Sequence, residues 1–98
     1  AKININKIRD IQNVTKIPLV LHGSSGISYQ MRKKIAKNTN VAKFNIGTEL
    51  RMIAGSSLRK NINNNPEIFD RLKLIQPTII KIKNQTKKII KNIGITNE

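Results

Sequence analysis

The only imidazole in this 98-residue chain, His22, stands where an apolar run meets a Gly/Ser loop, in Pro18–Gly26, PLVLHGSSG. A neutral imidazole is a common zinc ligand, and a catalytic zinc usually takes three protein ligands and keeps one position open. A lone histidine can equally be a structural hydrogen-bonding group. The four residues after it, Gly23-Ser24-Ser25-Gly26, suit an anion. Glycines let backbone N–H groups approach closely, and the serines add hydroxyl donors. A helix predicted just beyond would add its own N-terminal N–H groups. The same four residues also make a plain turn. Nineteen residues after Gly26 comes a second polar turn, Asn45–Glu49, NIGTE. Asn45 offers an amide that donates and accepts, which suits a hydroxy-ketone. Thr48 offers a hydroxyl that can meet a ligand or cap a helix.

Both turns follow apolar stretches that read as strands. Ile17–Leu21 is almost continuously apolar, as in a parallel strand buried on both faces. Val41–Ile46 reads as the second strand. Ile3–Thr15 reads as an amphipathic helix with Ile8, Ile11 and Val14 inward, and Lys16 as its exit. Ser28 is placed to cap a helix over 29–37, whose apolar stripe is Met31, Ile35 and Ala36. A helix is predicted from Glu49 to about Asn61, then a polar loop to Pro66 and a short helix over 67–74. Pro77 is expected to open a last helix to about Asn92, with Ile79, Ile80, Ile82, Ile89 and Ile90 in the core and Gly94 as C-cap. Ile95–Glu98 is expected to fray. Ser56, Ser57 and the lysines of the last helix read as solvated faces.

The order α-β-α-β-α-α-α makes an α/β protein with a parallel βαβ unit and a right-handed crossover. Two parallel strands alone are not a stable sheet. This shortfall points to a fragment of a larger sheet. In a (β/α)8 TIM barrel, neighbouring strands deliver active-site groups from their C-terminal ends, as these two turns would. The chain also begins at Ala1, without Met and inside a basic segment. It is therefore expected to be a fragment of such a barrel, without separate domains.

Composition excludes several classes. Zero cysteines leave no disulfide framework or thiolate site. The same absence fits the cytoplasmic location expected; no apolar run approaches the roughly 20 residues of a membrane span, and no signal peptide is visible. The net charge of +14 would ordinarily suggest a polyanion partner. Yet 14 Lys come with 19 Ile and 13 Asn, as an A/T-rich coding sequence produces. Lysine is spread along the chain, and two Phe, one Tyr and no Trp offer few stacking platforms. A small basic nucleic-acid-binding protein is the disfavoured alternative.

The segments PLVLHGSSGISYQMR and VAKFNIGTELR resemble, without a gap, the C-terminal part of the class II, zinc-dependent fructose-bisphosphate and tagatose-bisphosphate aldolases. NNNPEIFDRLKLIQPTI resembles that family's terminal helices. The resemblance implies that His22 is one of three zinc-binding histidines. It implies that Gly23, Ser24 and Ser25, with Asn45, Ile46, Gly47 and Thr48, bind the dihydroxyacetone phosphate part of a sugar bisphosphate. The other zinc ligands and the catalytic Asp would lie upstream. One histidine and five acids cannot assemble the centre within these residues. Arg51 could reach a second phosphate or be a solvated charge. Gly47 stands where some members carry Asp, which leaves fructose and tagatose specificity open. Ser28-Tyr29-Gln30 stands where the family has an acidic turn and reads as drift. The implied enzyme is a glycolytic lyase, self-associating as a dimer or tetramer, and the isolated fragment is expected to be inactive.

Overall fold

The computed structural model describes residues 2–94. Helix α1 spans Ile5–Thr15 and strand β1 Leu19–Leu21. A single 3-10 turn, Ser24–Gly26, precedes α2, Tyr29–Asn38. Strand β2 is Val41–Phe44, followed by α3, Thr48–Asn64, and α4, Arg71–Ile93.

Caps account for most boundaries. Asn4 Oδ1 accepts from the N–H groups of Asn6 and Lys7, so α1 starts two residues later than periodicity suggested. The helix stops at Lys16, which takes a left-handed conformation with φ 56° and donates its N–H to Gln12 O at 3.1 Å. A non-glycine residue adopts this conformation at a cost. Ser28 caps α2 as expected, with Oγ accepting from Met31 N–H.

The two strands pair in parallel, with Leu19 opposite Val41, Val20 opposite Lys43 and Leu21 opposite Phe44. Ala42 is the extra residue of a bulge between the first two pairs. Two further bonds extend the ladder, Leu19 N–H to Asn40 O and Asn45 N–H to Leu21 O. The core gathers Ile8, Ile35 and Val41, with Leu19, Leu21, Met31 and Phe44 packed against them. It lies on the face of the sheet covered by α1 and α2. The opposite face is open: Val20 is 48% exposed and Ala42 and Lys43 are exposed. Burial of β1 on both faces, expected from its apolar run, is therefore not met within these residues. Ile11 and Val14 of α1 are likewise exposed, and only Ile8 of that stripe is buried.

The C-terminal region differs most from expectation. There is no short helix starting at Glu67. Residues 65–70 form a loop, and Asp70 Oδ1 caps a single 23-residue helix by accepting from Leu72 N–H. Pro77 lies inside α4 and does not open it. Proline has no N–H to return to the carbonyl four residues back. Around it, α4 is bonded to α3. Asn61 Nδ2 of α3 donates to Leu74 O, and Thr78 Oγ1 bonds Ser57 Oγ across the same interface. Ser57 is thus half-buried and not a solvated residue. Of the expected core isoleucines, Ile89 is buried and Ile82 half-buried, while Ile79, Ile80 and Ile90 are more than half exposed. Gly94 does terminate α4, but in an extended conformation. The expected fraying of Ile95–Glu98 lies outside the described residues.

Candidate functional site

The parallel pairing sets the C-terminal ends of β1 and β2 side by side. Each strand runs into one polar turn. Asn45 N–H donates to Leu21 O at 2.9 Å, and Ser24 N–H donates to Asn45 O at 3.3 Å. These two bonds lock the turns together through main chain alone. Gly23 makes the sharp entry with φ 66°. A Cβ there would meet nothing within 4 Å, so the backbone conformation is what favours glycine.

An open pocket of about 480 Å³ lies between the turns. Gly23 and Ser25 line it from one side, and Asn45, Ile46, Gly47 and Thr48 from the other, with Arg51 at its edge. The bond between Asn45 Nδ2 and His22 Nδ1, at 3.0 Å, ties the exposed imidazole to this rim. Two assignments satisfy that contact. Either the amide nitrogen donates to a bare Nδ1, or, with the amide turned over, its oxygen accepts from Nδ1–H. The second leaves the Nε2 lone pair open, the form in which a histidine binds metal while its other nitrogen is held.

Ser24 behaves differently from its neighbours. It is fully buried, its Oγ donates to Leu21 O, and its amide is spent on Asn45. Its side chain does not line the pocket, contrary to the role expected for it. Ser25 faces the pocket, and its Oγ accepts from Glu49 N–H at 3.1 Å. That contact caps α3 from outside. Gly47, at the cap position, has no side chain to do so. A serine hydroxyl that accepts one bond still has its proton to donate. Thr48 is not the cap but the first helical residue, and its Oγ1 accepts from Arg51 Nη2 at 3.1 Å. Arg51 folds back because Gly47 leaves room. A Cβ at Gly47 would come within 3.0 Å of Arg51 Nη1.

The start of α3 therefore offers N–H groups, a positive helix end and the Arg51 guanidinium to whatever enters. An anion of phosphate size matches this chemistry. For zinc, His22 fits as one ligand. Among the described residues no three His, Cys, Asp or Glu side chains cluster to complete a centre.

Sequence reasoning missed a second set of residues, behind the pocket. Glu49 receives Arg32 Nη2 at 2.7 Å, Tyr29 Oη at 2.9 Å and Gln85 Nε2 at 2.9 Å. Gln85 also bonds Tyr29 Oη, and Asn92 Nδ2 donates to Tyr29 O. Tyr29 is thus a structural member of a network spanning α2, α3 and α4. Burial alone would raise the Glu49 pKa, but hydrogen bonds from Arg32, Tyr29 and Gln85 and the Arg32 charge outweigh it and hold the carboxyl below its ordinary range. Tyr29 is pushed up, first by burial and then by Glu49. A signal was available: Arg32 stands three residues before Ile35, on the stripe that turns inward.

The family model of class II fructose-bisphosphate aldolases matches residues 1–98. The chain belongs to that family. A fructose-bisphosphate aldolase of Staphylococcus aureus is 34% identical over 97 residues, covering 98% of this chain and 33% of that protein. One from Staphylococcus epidermidis is 32% identical with the same coverage. A fructose-bisphosphate aldolase of Helicobacter pylori is 28% identical across 99% of this chain and 38% of its own length. The chain thus spans about a third of the length of these relatives. Among the described residues no helix is long and apolar enough to cross a membrane.

Proposed function

We propose that this chain supplies the last two strands and terminal helices of a (β/α)8 barrel in a zinc-dependent class II ketose-bisphosphate aldolase. The reaction is the reversible cleavage of fructose 1,6-bisphosphate into dihydroxyacetone phosphate and glyceraldehyde 3-phosphate, a step of glycolysis. Tagatose 1,6-bisphosphate is the alternative substrate. The observation that carries the reading is the pocket between the two turns, at the C-terminal ends of adjacent parallel strands, where barrel active sites lie. The open face of the sheet, with Val20 and Ala42 uncovered, suits the inner face of a barrel, where side chains of the other strands would pack against it.

In this reading His22 is one zinc ligand and Asn45 holds its ring. A bound zinc supplies Lewis-acid polarisation of the substrate carbonyl. Ser25 donates its hydroxyl proton to a phosphate oxygen, and the positive end of α3 with Thr48 completes that subsite. Gly23, Ile46 and Gly47 contribute main chain. Ser24 acts through its backbone, as the wall behind the turn. Arg51, bonded to Thr48 Oγ1 at the pocket edge, lends its charge to the same subsite. The remaining zinc ligands and the acid that moves the hydroxyl proton come from elsewhere in the barrel. The barrel is one domain, cytoplasmic, and paired or tetrameric.

The test is the full encoded protein, assayed for zinc content and for cleavage of fructose and tagatose bisphosphates. His22→Ala is expected to lose both zinc and cleavage while staying folded. Retention of zinc and activity by that variant overturns the reading.

A further inference from the structure

Behind the Gly/Ser turn sits a cation that the proposed reaction does not use. Arg32, on the inward face of α2, is 1% exposed. Its Nε donates to Ser24 O at 3.0 Å, and its Nη2 pairs with Glu49 Oε2 at 2.7 Å. Its guanidinium lies over the Tyr29 ring, 5.0 Å from the centroid. Burying a charge this fully is costly unless its partners are well placed. Here the partners belong to the two turns that form the pocket.

One guanidinium therefore grips both sides of the site. On one side it holds the Ser24 carbonyl, which also accepts from Ile27 N–H at 3.2 Å. Both lone pairs of that oxygen are occupied. A trans peptide is planar with its C=O and N–H pointing in opposite directions. Fixing the Ser24 carbonyl toward α2 thus turns the Ser25 N–H away from α2. The first N–H groups of a helical turn are those without an internal acceptor. On the other side it holds Glu49, whose own N–H donates to Ser25 Oγ. Arg32 thus adds a side-chain link between the turn and the first turn of α3 to the main-chain bonds that already join the two turns.

We infer that Arg32 is the positioning residue of the phosphate subsite. It aims the Ser25 N–H and braces the gap that an anion must fill, without touching the anion. The inference rests on the reading of the two turns as a phosphate site. The planar fork of arginine meets two acceptors at once, and a lysine ammonium cannot reproduce that geometry while keeping the charge.

Inorganic phosphate is titrated calorimetrically into the full encoded protein, its Arg32→Lys variant and its Gln85→Ala variant, each checked for a complete unfolding transition. Arg32→Lys is expected to bind phosphate about tenfold more weakly, the loss of one well-placed charged hydrogen bond. Its KM for the sugar bisphosphate is expected to rise equally, with kcat unchanged. A merely structural role would lower the active fraction, and so kcat, and leave KM in place. Gln85→Ala loosens Glu49 only from α4 and is expected to weaken phosphate binding less. A folded Arg32→Lys protein with unaltered phosphate affinity overturns the inference. If Arg32→Lys does not fold, Glu49→Gln takes its place, and unaltered affinity there overturns it as well. Absence of phosphate binding by the unaltered protein, or binding untouched by Ser25→Ala combined with Thr48→Val, removes the phosphate reading itself.

Discussion

Glu49→Gln removes the charge on which three donors converge, and its cost follows from the geometry. The carboxylate faces a fully buried guanidinium at 2.7 Å and keeps only 17% of its side chain exposed. Removing one partner of a buried pair strands the other, which costs roughly 3–5 kcal/mol. Glutamine keeps one acceptor oxygen for Tyr29 or Arg32, and the residual exposure admits some water. The expected loss is therefore near the lower end, about 3 kcal/mol. The pH dependence gives the second reading. The folded-state pKa of Glu49 is depressed. Its contribution is therefore fully present above the ordinary carboxylate range and disappears as pH falls through the depressed value. Urea unfolding of the full encoded protein and its variant should differ most at neutral pH, and the two should converge in acid. A gap below about 1 kcal/mol at pH 7, the size of an exposed pair, would refute the reasoning. So would a gap that does not close on acidification.

Two further outcomes are expected. Ser25→Ala deletes the external cap of α3 and should cost about 1 kcal/mol in urea unfolding, together with a loss of phosphate affinity. An unchanged unfolding midpoint would show that the Glu49 N–H finds water instead. Lys16→Gly relieves a left-handed non-glycine residue at the end of α1 and should stabilise the fold by up to about 1 kcal/mol. A lowered thermal midpoint would mean that the lysine stem contributes more packing than the backbone loses.

Much of the pocket was legible in the residues. Gly23, Ser25, Asn45 and Gly47 announce themselves because glycine, serine and asparagine at strand ends are chosen for local backbone reasons. Those reasons are visible within a few positions of sequence. The orientation of each side chain was not. Ser24 and Ser25 are adjacent and alike, yet one is buried on Leu21 O and the other faces the pocket. Charged residues are mostly exposed, and the burial of Arg32 depends on partners 8 and 17 residues away. Pro77 misled for a related reason. Local rules place proline at a helix start, yet α4 runs through it while bonded to Asn61 and Ser57 of α3.

By itself, then, the sequence determined the alternation of helices and strands, the parallel pair and the two polar turns at its C-terminal end. Periodicity, glycine and capping residues act over one or two turns of chain, and their effect can be read without knowing the fold. Only the tertiary structure decided which serine serves the pocket, what caps α3, and that a single arginine holds both turns. Those outcomes depend on groups far apart in sequence meeting at hydrogen-bonding distance. One partner of Tyr29 in α4, Gln85, is 56 residues away, a separation over which no local pattern carries information.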